Sequence, residues 1–165
     1  DQPGWRYMID NGATTLWEEW YTDQHIYSHN HPMFGSISEW FYRSIGGINP
    51  APDAVGCDRW IINPQLTDSV PSASVSYQSI RGLVSSTYTR TDSSLQWRVS
   101  IPTNTQAEVA IPLDGYLHPR VELPDESLYW SETESTEPSA TRKGDRLWVK
   151  LGSGTYDFVV SESPN

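Results

Sequence analysis

Apolar and polar residues alternate in short runs along residues 50–165, and each run ends at turn-forming residues. This period of two is typical of strands with one buried face. It predicts strands at 60–62, 73–77, 83–89, 95–101, 107–111, 147–151 and 156–160. The clearest run places four apolar residues on one face: Leu95, Trp97, Val99 and Ile101. Short alternating strands separated by turns predict an antiparallel β-sandwich.

Residues 1–48 have a helical pattern instead. Apolar residues recur at spacings of three and four across 37–45, which predicts a helix from Ser38 to Ile45 that ends at Gly46 and Gly47. A second short helix is predicted over 14–21, followed by a long loop to Gly35. The Pro-rich run 49–53 breaks the helical pattern, so we expect one domain over 1–50 and a second over 51–165.

The first of these parts is too short to bury a core alone. About 48 residues of helix and loop lack the volume for an independent core, yet they are rich in Trp, Phe and Tyr. We therefore expect this segment to pack on further protein.

The formal net charge of −10 disfavours nucleic acid as a partner, because little here neutralises phosphates. The apolar runs are far shorter than the roughly 20 residues that span a bilayer, so no membrane partner is expected. Cys57 is the only cysteine, which excludes an internal disulfide and a cysteine metal cluster. We expect it to be a small buried or half-buried filler.

Eight Trp and nine Tyr form a large aromatic load. Aromatic rings can stack on the apolar face of a sugar, and they can equally fill a core. Composition alone leaves both interpretations open.

Glu18 lies between Trp17 and Trp20 in residues 12–20, GATTLWEEW. A carboxylate beside aromatic rings loses solvation, which suits general acid or base work. The alternative is that Glu18 and Glu19 are ordinary surface residues, and Glu19 is the better candidate for the solvated one.

His29 and His31 lie two apart, with His25 nearby. Three histidines in a loop without a positioned carboxylate indicate a metal only weakly, so neither a metal nor a cofactor is expected. A neutral imidazole donates at one nitrogen and accepts at the other, which suits sugar hydroxyls. A histidine bonded to the backbone in a buried loop is the structural alternative.

Three blocks in this order and spacing resemble the bacterial α-L-rhamnosidases of glycoside hydrolase family 78: GATTLWEEW at 12–20, SHNHPMFGSISEWFY at 28–42 and IINPQ at 61–65. The later strands, including residues 73–88 and 151–158, also resemble that family's C-terminal β-domain. The likeness runs along essentially the whole chain.

The resemblance implies the last helices of an (α/α)6 barrel followed by a β-sandwich. It implies an inverting hydrolase that releases terminal α-L-rhamnose, with Glu18 as general base and His31 in the sugar subsite. Trp17 and Trp20 would be walls near the pocket. The implied partners are a rhamnose-containing glycoside or oligosaccharide and the remainder of the barrel. A periplasmic or extracellular location in a bacterium is expected over a cytoplasmic one.

The family's acidic block with the general acid lies upstream in the barrel, and nothing like it occurs here. We therefore expect the 165-residue chain alone to be inactive. A competing interpretation is a non-catalytic carbohydrate-binding or accessory β-sandwich module, and a third is a family member that acts on another sugar.

Overall fold

The chain folds as two compact units, residues 1–40 and 41–165. The structure is a computed structural model that describes residues 4–20, 28–125 and 127–163. The domain boundary predicted at residue 50 stays a prediction, since compactness alone does not define a domain. Within the described residues, no helix has the length and apolar character needed to cross a membrane.

The first unit contains three short helical segments among its described residues. They are α1 at Trp5–Asp10, a 3₁₀ turn at Met33–Ser36 and α2 at Ile37–Trp40. The helix predicted over 14–21 is wrong for its described part, because residues 14–20 contain bends and no helix. Their backbone bonds instead to residues 28–31, and the β-branched pair Thr14 and Thr15 favours extended backbone over helix.

The helix predicted from Ser38 to Ile45 is confirmed as helical backbone of two kinds. The α-helix Ile37–Trp40 is followed directly by a π-helix at Phe41–Ile45. The Gly46 N–H donates to the Phe41 carbonyl at 2.9 Å, which closes the wider i to i+5 turn. Ile45 is 4% exposed, so the last residue of this turn anchors it to the core.

The described residues of the second unit form eleven strands. In chain order they are β1 Ile48–Pro50, β2 Arg59–Ile62, β3 Ser72–Ser79, β4 Gly82–Arg90, β5 Ser94–Ile101, β6 Gln106–Pro112, β7 Pro119–Glu122, β8 Leu128–Ser131, β9 Thr141–Lys143, β10 Arg146–Leu151 and β11 Gly154–Glu162. One sheet has the order β1-β2-β6-β10-β9, and the other has the order β3-β4-β5-β11-β7-β8. The two sheets share one core, which makes this unit a β-sandwich.

All seven strands predicted from alternation are confirmed, and four short ones were missed. The missed strands β1, β7, β8 and β9 have only three or four residues, too few to display a period of two. The expectation of purely antiparallel pairing is wrong at β2 and β6, which run parallel. The chain between them passes through β3 to β5 in the other sheet, and such a long crossover permits parallel pairing.

The core lies between the two sheets, where apolar side chains from both meet. The predicted inward face of β5 is confirmed, since its four apolar residues are each at most 4% exposed. From the opposite sheet, β6 and β10 contribute Val109, Ile111, Leu147 and Val149. The Trp97 indole N–H donates to Ser86 Oγ at 3.0 Å, so this buried polar group is satisfied. Cys57 is half-buried against this core, as predicted.

Gly46 and Gly47 let the chain pass closely between the π-helix and the sandwich. A Cβ on Gly46 would lie 2.7 Å from the Cβ of Val75. Gly47 has a φ of 69°, and a Cβ there would collide with backbone atoms of Asn63 and Pro64. The Asn63 N–H donates to the Gly47 carbonyl at 2.9 Å, which holds the two segments together. The glycine pair thus has a packing role beyond ending the helix.

Gly47→Ala is expected to lower the free energy of unfolding by about 2–4 kcal/mol, because it adds a backbone clash to the cost of a positive φ. Chemical denaturation monitored by circular dichroism measures this change.

Gly144→Ala is the matched control. Gly144 has a φ of 62°, but nothing lies within 4 Å of the place that a Cβ would take, so only the conformational cost of about 1 kcal/mol is expected. Equal destabilisation by the two substitutions would contradict the close-approach explanation.

Candidate functional site

Backbone hydrogen bonds in the first unit join the segment around Glu18 to the segment around His31. The Glu18 N–H donates to the Ser28 carbonyl at 2.9 Å, and the His31 N–H donates to the Leu16 carbonyl at 2.9 Å. Thr15 Oγ1 adds a third bond to the His29 carbonyl. Two segments separated in sequence are therefore held side by side, and Glu18 and His31 lie on opposite members of this segment pair.

An aromatic cluster supports one end of this pair. The Trp20 ring stacks on Phe34 with centroids 3.8 Å apart and an interplanar angle of 25°. Trp5 meets Trp20 edge-on at 5.2 Å, and its indole N–H donates to the Phe34 carbonyl at 3.2 Å. Stacked and edge-on contacts are the two favourable aromatic geometries, so α1, the Trp20 segment and the 3₁₀ turn are fixed relative to one another.

Trp17 occupies a different environment from Trp20. Its side chain is only 5% exposed, and its ring stacks on His29 at 4.8 Å with an interplanar angle of 18°. This contact gives His29 a packing role. Trp20 is half-buried and belongs to the aromatic cluster, so the two tryptophans that the sequence groups together have separate partners.

The two adjacent glutamates differ in exposure. Glu18 is half-buried directly after the buried Trp17, whereas Glu19 is exposed. The interpretation of Glu19 as the solvated member is confirmed. The segment pairing fixes the backbone of Glu18, because its own N–H is one of the donors that join the two segments.

The tautomer of the neutral His31 ring follows from its hydrogen bond. The Met33 N–H donates to His31 Nδ1 at 3.2 Å. Nδ1 accepts only when it carries no proton, so the neutral ring has its hydrogen on Nε2. His31 is half-buried, and its Nε2–H group can donate a hydrogen bond to a ligand.

Other polar residues of this unit have different roles. Asp10 pairs with Arg6 at 2.7 Å on the exposed side of α1, which makes it part of a surface ion pair. His25 and Asp23 lie outside the described residues. Among the residues that the structure does describe, no three of the His, Cys, Asp and Glu side chains group in a way that could hold a metal ion.

Trp5 and Phe34 contribute to the aromatic cluster, although the sequence alone did not single them out. Phe34 lies within the SHNHPMFGS block, so its motif was visible although its ring contact was not. Trp5 gave no signal, because its part of the chain showed no pattern that distinguished it from other aromatics.

The backbone amides of Glu18 and His31 are expected to exchange slowly with deuterium, because both donate to carbonyls across the segment pair. Thr15→Val should accelerate exchange at His31, since it removes the flanking bond to the His29 carbonyl while keeping the side-chain shape. Hydrogen exchange followed by NMR measures both rates.

Thr14→Val is the neighbouring control and should leave exchange at His31 unchanged. Exchange at both amides as fast as in an unstructured peptide would show that the pairing does not persist in solution.

Two family models match consecutive parts of the chain. Residues 1–45 match the bacterial α-L-rhamnosidase 6 hairpin glycosidase domain, and residues 47–125 match the bacterial α-L-rhamnosidase C-terminal domain. An α-L-rhamnosidase of Streptomyces avermitilis is 34% identical over 96% of this chain. The chain spans 15% of the length of that relative.

Solved structures agree with these matches. The α-L-rhamnosidase from Dictyoglumus thermophilum is 30% identical with a TM-score of 0.84, over 97% of this chain and 17% of that protein. The Streptomyces avermitilis α-L-rhamnosidase, solved as a complex with L-rhamnose, is 29% identical with a TM-score of 0.74, over 96% of this chain and 15% of that protein.

The Streptomyces avermitilis sequence and the two solved structures match this chain almost along its whole length. The matched region is only a small part of each of these relatives. The chain belongs to the bacterial α-L-rhamnosidase family, a family of glycosidases, and corresponds to a small C-terminal part of its members.

Proposed function

We propose that this chain supplies the general base and part of the sugar subsite of an inverting α-L-rhamnosidase. The backbone pairing of the Glu18 and His31 segments carries this proposal, because it brings a half-buried carboxylate and an oriented imidazole onto one small framework. Family membership supports the reaction class.

Glu18 is proposed as the base because of its position. It follows the buried Trp17, and its backbone is fixed by the bond to Ser28. A base must be held within hydrogen-bond reach of the proton it removes, and a carboxylate on a fixed backbone is suited to that. The exposed Glu19 next to it lacks this environment.

The proposed reaction proceeds in one displacement. The Glu18 carboxylate takes a proton from a water molecule as the water oxygen bonds to the anomeric carbon of rhamnose. The glycosidic C–O bond breaks, and its oxygen takes a proton from a carboxylic acid on the opposite side of the sugar. In inverting glycosidases the two carboxyl groups are about 6.5–9.5 Å apart, which leaves room for the water.

The proposed role of His31 is to bind the sugar. With Nδ1 engaged by the Met33 N–H, the Nε2–H is left to donate to a hydroxyl oxygen. Trp17 and Trp20 are proposed as walls near the pocket, each held by its own ring partner, His29 for the first and Phe34 for the second. Trp20 is half-buried and can offer part of its ring to a pyranose, whereas Trp17, which is 5% exposed, would support the wall from behind.

The remainder of an (α/α)6 barrel is the proposed partner, with residues 1–50 as its last helices and loops and residues 51–165 as the β-sandwich that follows. The chain spans only 15–18% of the length of the α-L-rhamnosidases that it resembles, which leaves the general acid to the rest of such a protein. The proposed substrate is a terminal α-L-rhamnoside, in line with the L-rhamnose bound by the Streptomyces avermitilis protein.

Glu18→Gln in the complete barrel-containing protein is expected to lower kcat on an aryl α-L-rhamnoside by about 10²–10⁴-fold, because an amide cannot accept the proton from water. KM should change little, since the amide keeps the size and much of the hydrogen bonding of the carboxylate. Steady-state kinetics measure both quantities.

The matched control is Glu19→Gln, which removes the same charge one residue away at an exposed position. It should leave kcat within about twofold of the unsubstituted protein, as surface substitutions usually do. Comparable losses from the two substitutions, or full activity in Glu18→Gln, would rule out Glu18 as the base.

A further inference from the structure

Trp148 lies on the outer face of the β-sandwich, away from the core. Its neighbours on β10, Leu147 and Val149, are 0% and 1% exposed and point inward. Side chains alternate along a strand, so Trp148 and Lys150 share the opposite face. Trp148 is half-buried and Lys150 is exposed. Core packing therefore does not account for this tryptophan.

The only two lysines of the chain flank Trp148. Lys143, at the end of the neighbouring β9, places its Nζ 5.8 Å from the centre of the Trp148 ring. Lys150 follows two residues after Trp148 on the same face. In a chain with a net charge of −10, both ammonium groups are thus concentrated around one aromatic ring.

A cleft crosses β2, β6 and β10 on this face, with a volume of about 520 Å³. Its polar lining includes Arg59, Gln106, Glu108 and Lys150, and its apolar lining includes Ile61. A smaller cavity of about 90 Å³ contains Trp148 and Lys143 and shares Glu108 and Lys150 with the first. The two cavities are adjacent, with Glu108 and Lys150 between them, and together they are called the outer-face cleft below.

The positive charges that line the cleft differ in how strongly each is paired with a neighbouring group. Arg59 bonds to Asp53 at 2.6 Å, so its positive charge is neutralised locally. Lys150 Nζ lies 3.9 Å from Glu108 Oε1, which is longer than a hydrogen bond. Lys143 has the Trp148 ring as its contact, and an exposed cation–π contact is weak. Both lysines can therefore give up these weak contacts and form a stronger ion pair with a bound anion.

We propose that the outer-face cleft is a binding site for a saccharide that carries a carboxylate group. One sugar stacks its apolar face on Trp148 and places its carboxylate against the flanking lysines, Lys143 and Lys150, and the next sugar extends into the larger cavity. Gln106 and Glu108 form hydrogen bonds with the hydroxyl groups of the saccharide. Three adjacent strands at a spacing of ~4.8 Å span roughly 10 Å, the reach of a disaccharide. The choice of a carbohydrate rests on the proposed function, whereas the preference for an acidic one rests on the two lysines.

The same geometry disfavours a dense polyanion such as a nucleic acid. Glu108 and Asp53 line the cleft beside the lysines and would repel a phosphate chain. Carboxylates instead accept hydrogen bonds from sugar hydroxyl groups, and an amide both donates to them and accepts from them. A sugar acid matches this lining better than a nucleic acid does. The lining combines one aromatic ring, two ammonium groups and neutral or acidic acceptors.

The test uses the 165-residue chain with its two lysines converted to ¹³C-dimethyl-lysine, which keeps their charge. Each lysine then gives one NMR signal, assigned through Lys143→Arg and Lys150→Arg. Two disaccharides are titrated that differ only at one carbon, glucuronosyl-rhamnose with a carboxylate and glucosyl-rhamnose with a hydroxymethyl group. Both lysine signals are expected to shift with the acidic ligand, and the neutral ligand should bind about tenfold more weakly.

Four variants separate the contributions. Trp148→Ala should weaken binding of both disaccharides by about tenfold, and Trp148→Phe should restore part of it. Lys143→Gln and Lys150→Gln, followed by calorimetry, should each reduce the preference for the acidic ligand. A further variant, Arg98→Gln, is the charge control, because Arg98 pairs with Asp157 on the outer face of the other sheet and its loss should leave binding unchanged.

Absence of lysine shifts, equal binding of both ligands, or an equal loss in Arg98→Gln would overturn the proposal. Circular dichroism checks that each variant is folded. If the chain is unfolded in isolation, calorimetry on the complete protein carrying Glu18→Gln, with and without Trp148→Ala, gives the same comparison. In the complete protein, Trp148→Ala should leave kcat and KM on an aryl α-L-rhamnoside unchanged while it weakens binding at the outer-face cleft, which separates this site from the proposed catalytic one, so either proposal can fail alone.

Discussion

Two backbone hydrogen bonds, from Glu18 to Ser28 and from His31 to Leu16, are the constraint on which the proposed active site depends. Without them, the proposed base and the sugar-binding histidine would lie on independent loops. Loops carry catalytic groups well only when a rigid scaffold positions them. Here the scaffold is the segment pairing itself, supported by the Trp20 and Phe34 stack. Preorganised geometry of this kind is worth more to catalysis than any single contact.

Most of the β-sandwich could be predicted because burial imposes a visible period on long strands. The alternation in β5 is an example, since every apolar residue at an inward position is buried. Strands of three or four residues, such as β1 and β9, carry no such signal and are defined by their partners. The parallel pairing of β2 with β6 also arises from tertiary topology, which local pattern does not encode.

The candidate site was predictable only through family-like motifs. The sequence predicts a helix over 14–21, yet residues 14–20 are non-helical and bond to a distant segment. Long-range backbone bonding overrode the local pattern, as it often does for short segments. The stack of Trp17 on His29 and the donation from Met33 to His31 depend on that pairing, so neither could be read from the chain itself. The face of Trp148, by contrast, follows from simple alternation.

The most direct test of Glu18 as the general base is a crystal structure of the complete protein with L-rhamnose bound. The Glu18 carboxylate is expected to hold a water molecule on one side of the anomeric carbon, with a second carboxyl group on the other side about 6.5–9.5 Å away. His31 Nε2 should lie within hydrogen-bond distance of a rhamnose hydroxyl. A rhamnose bound with Glu18 directed into bulk solvent, and another carboxylate holding the water, would contradict this role.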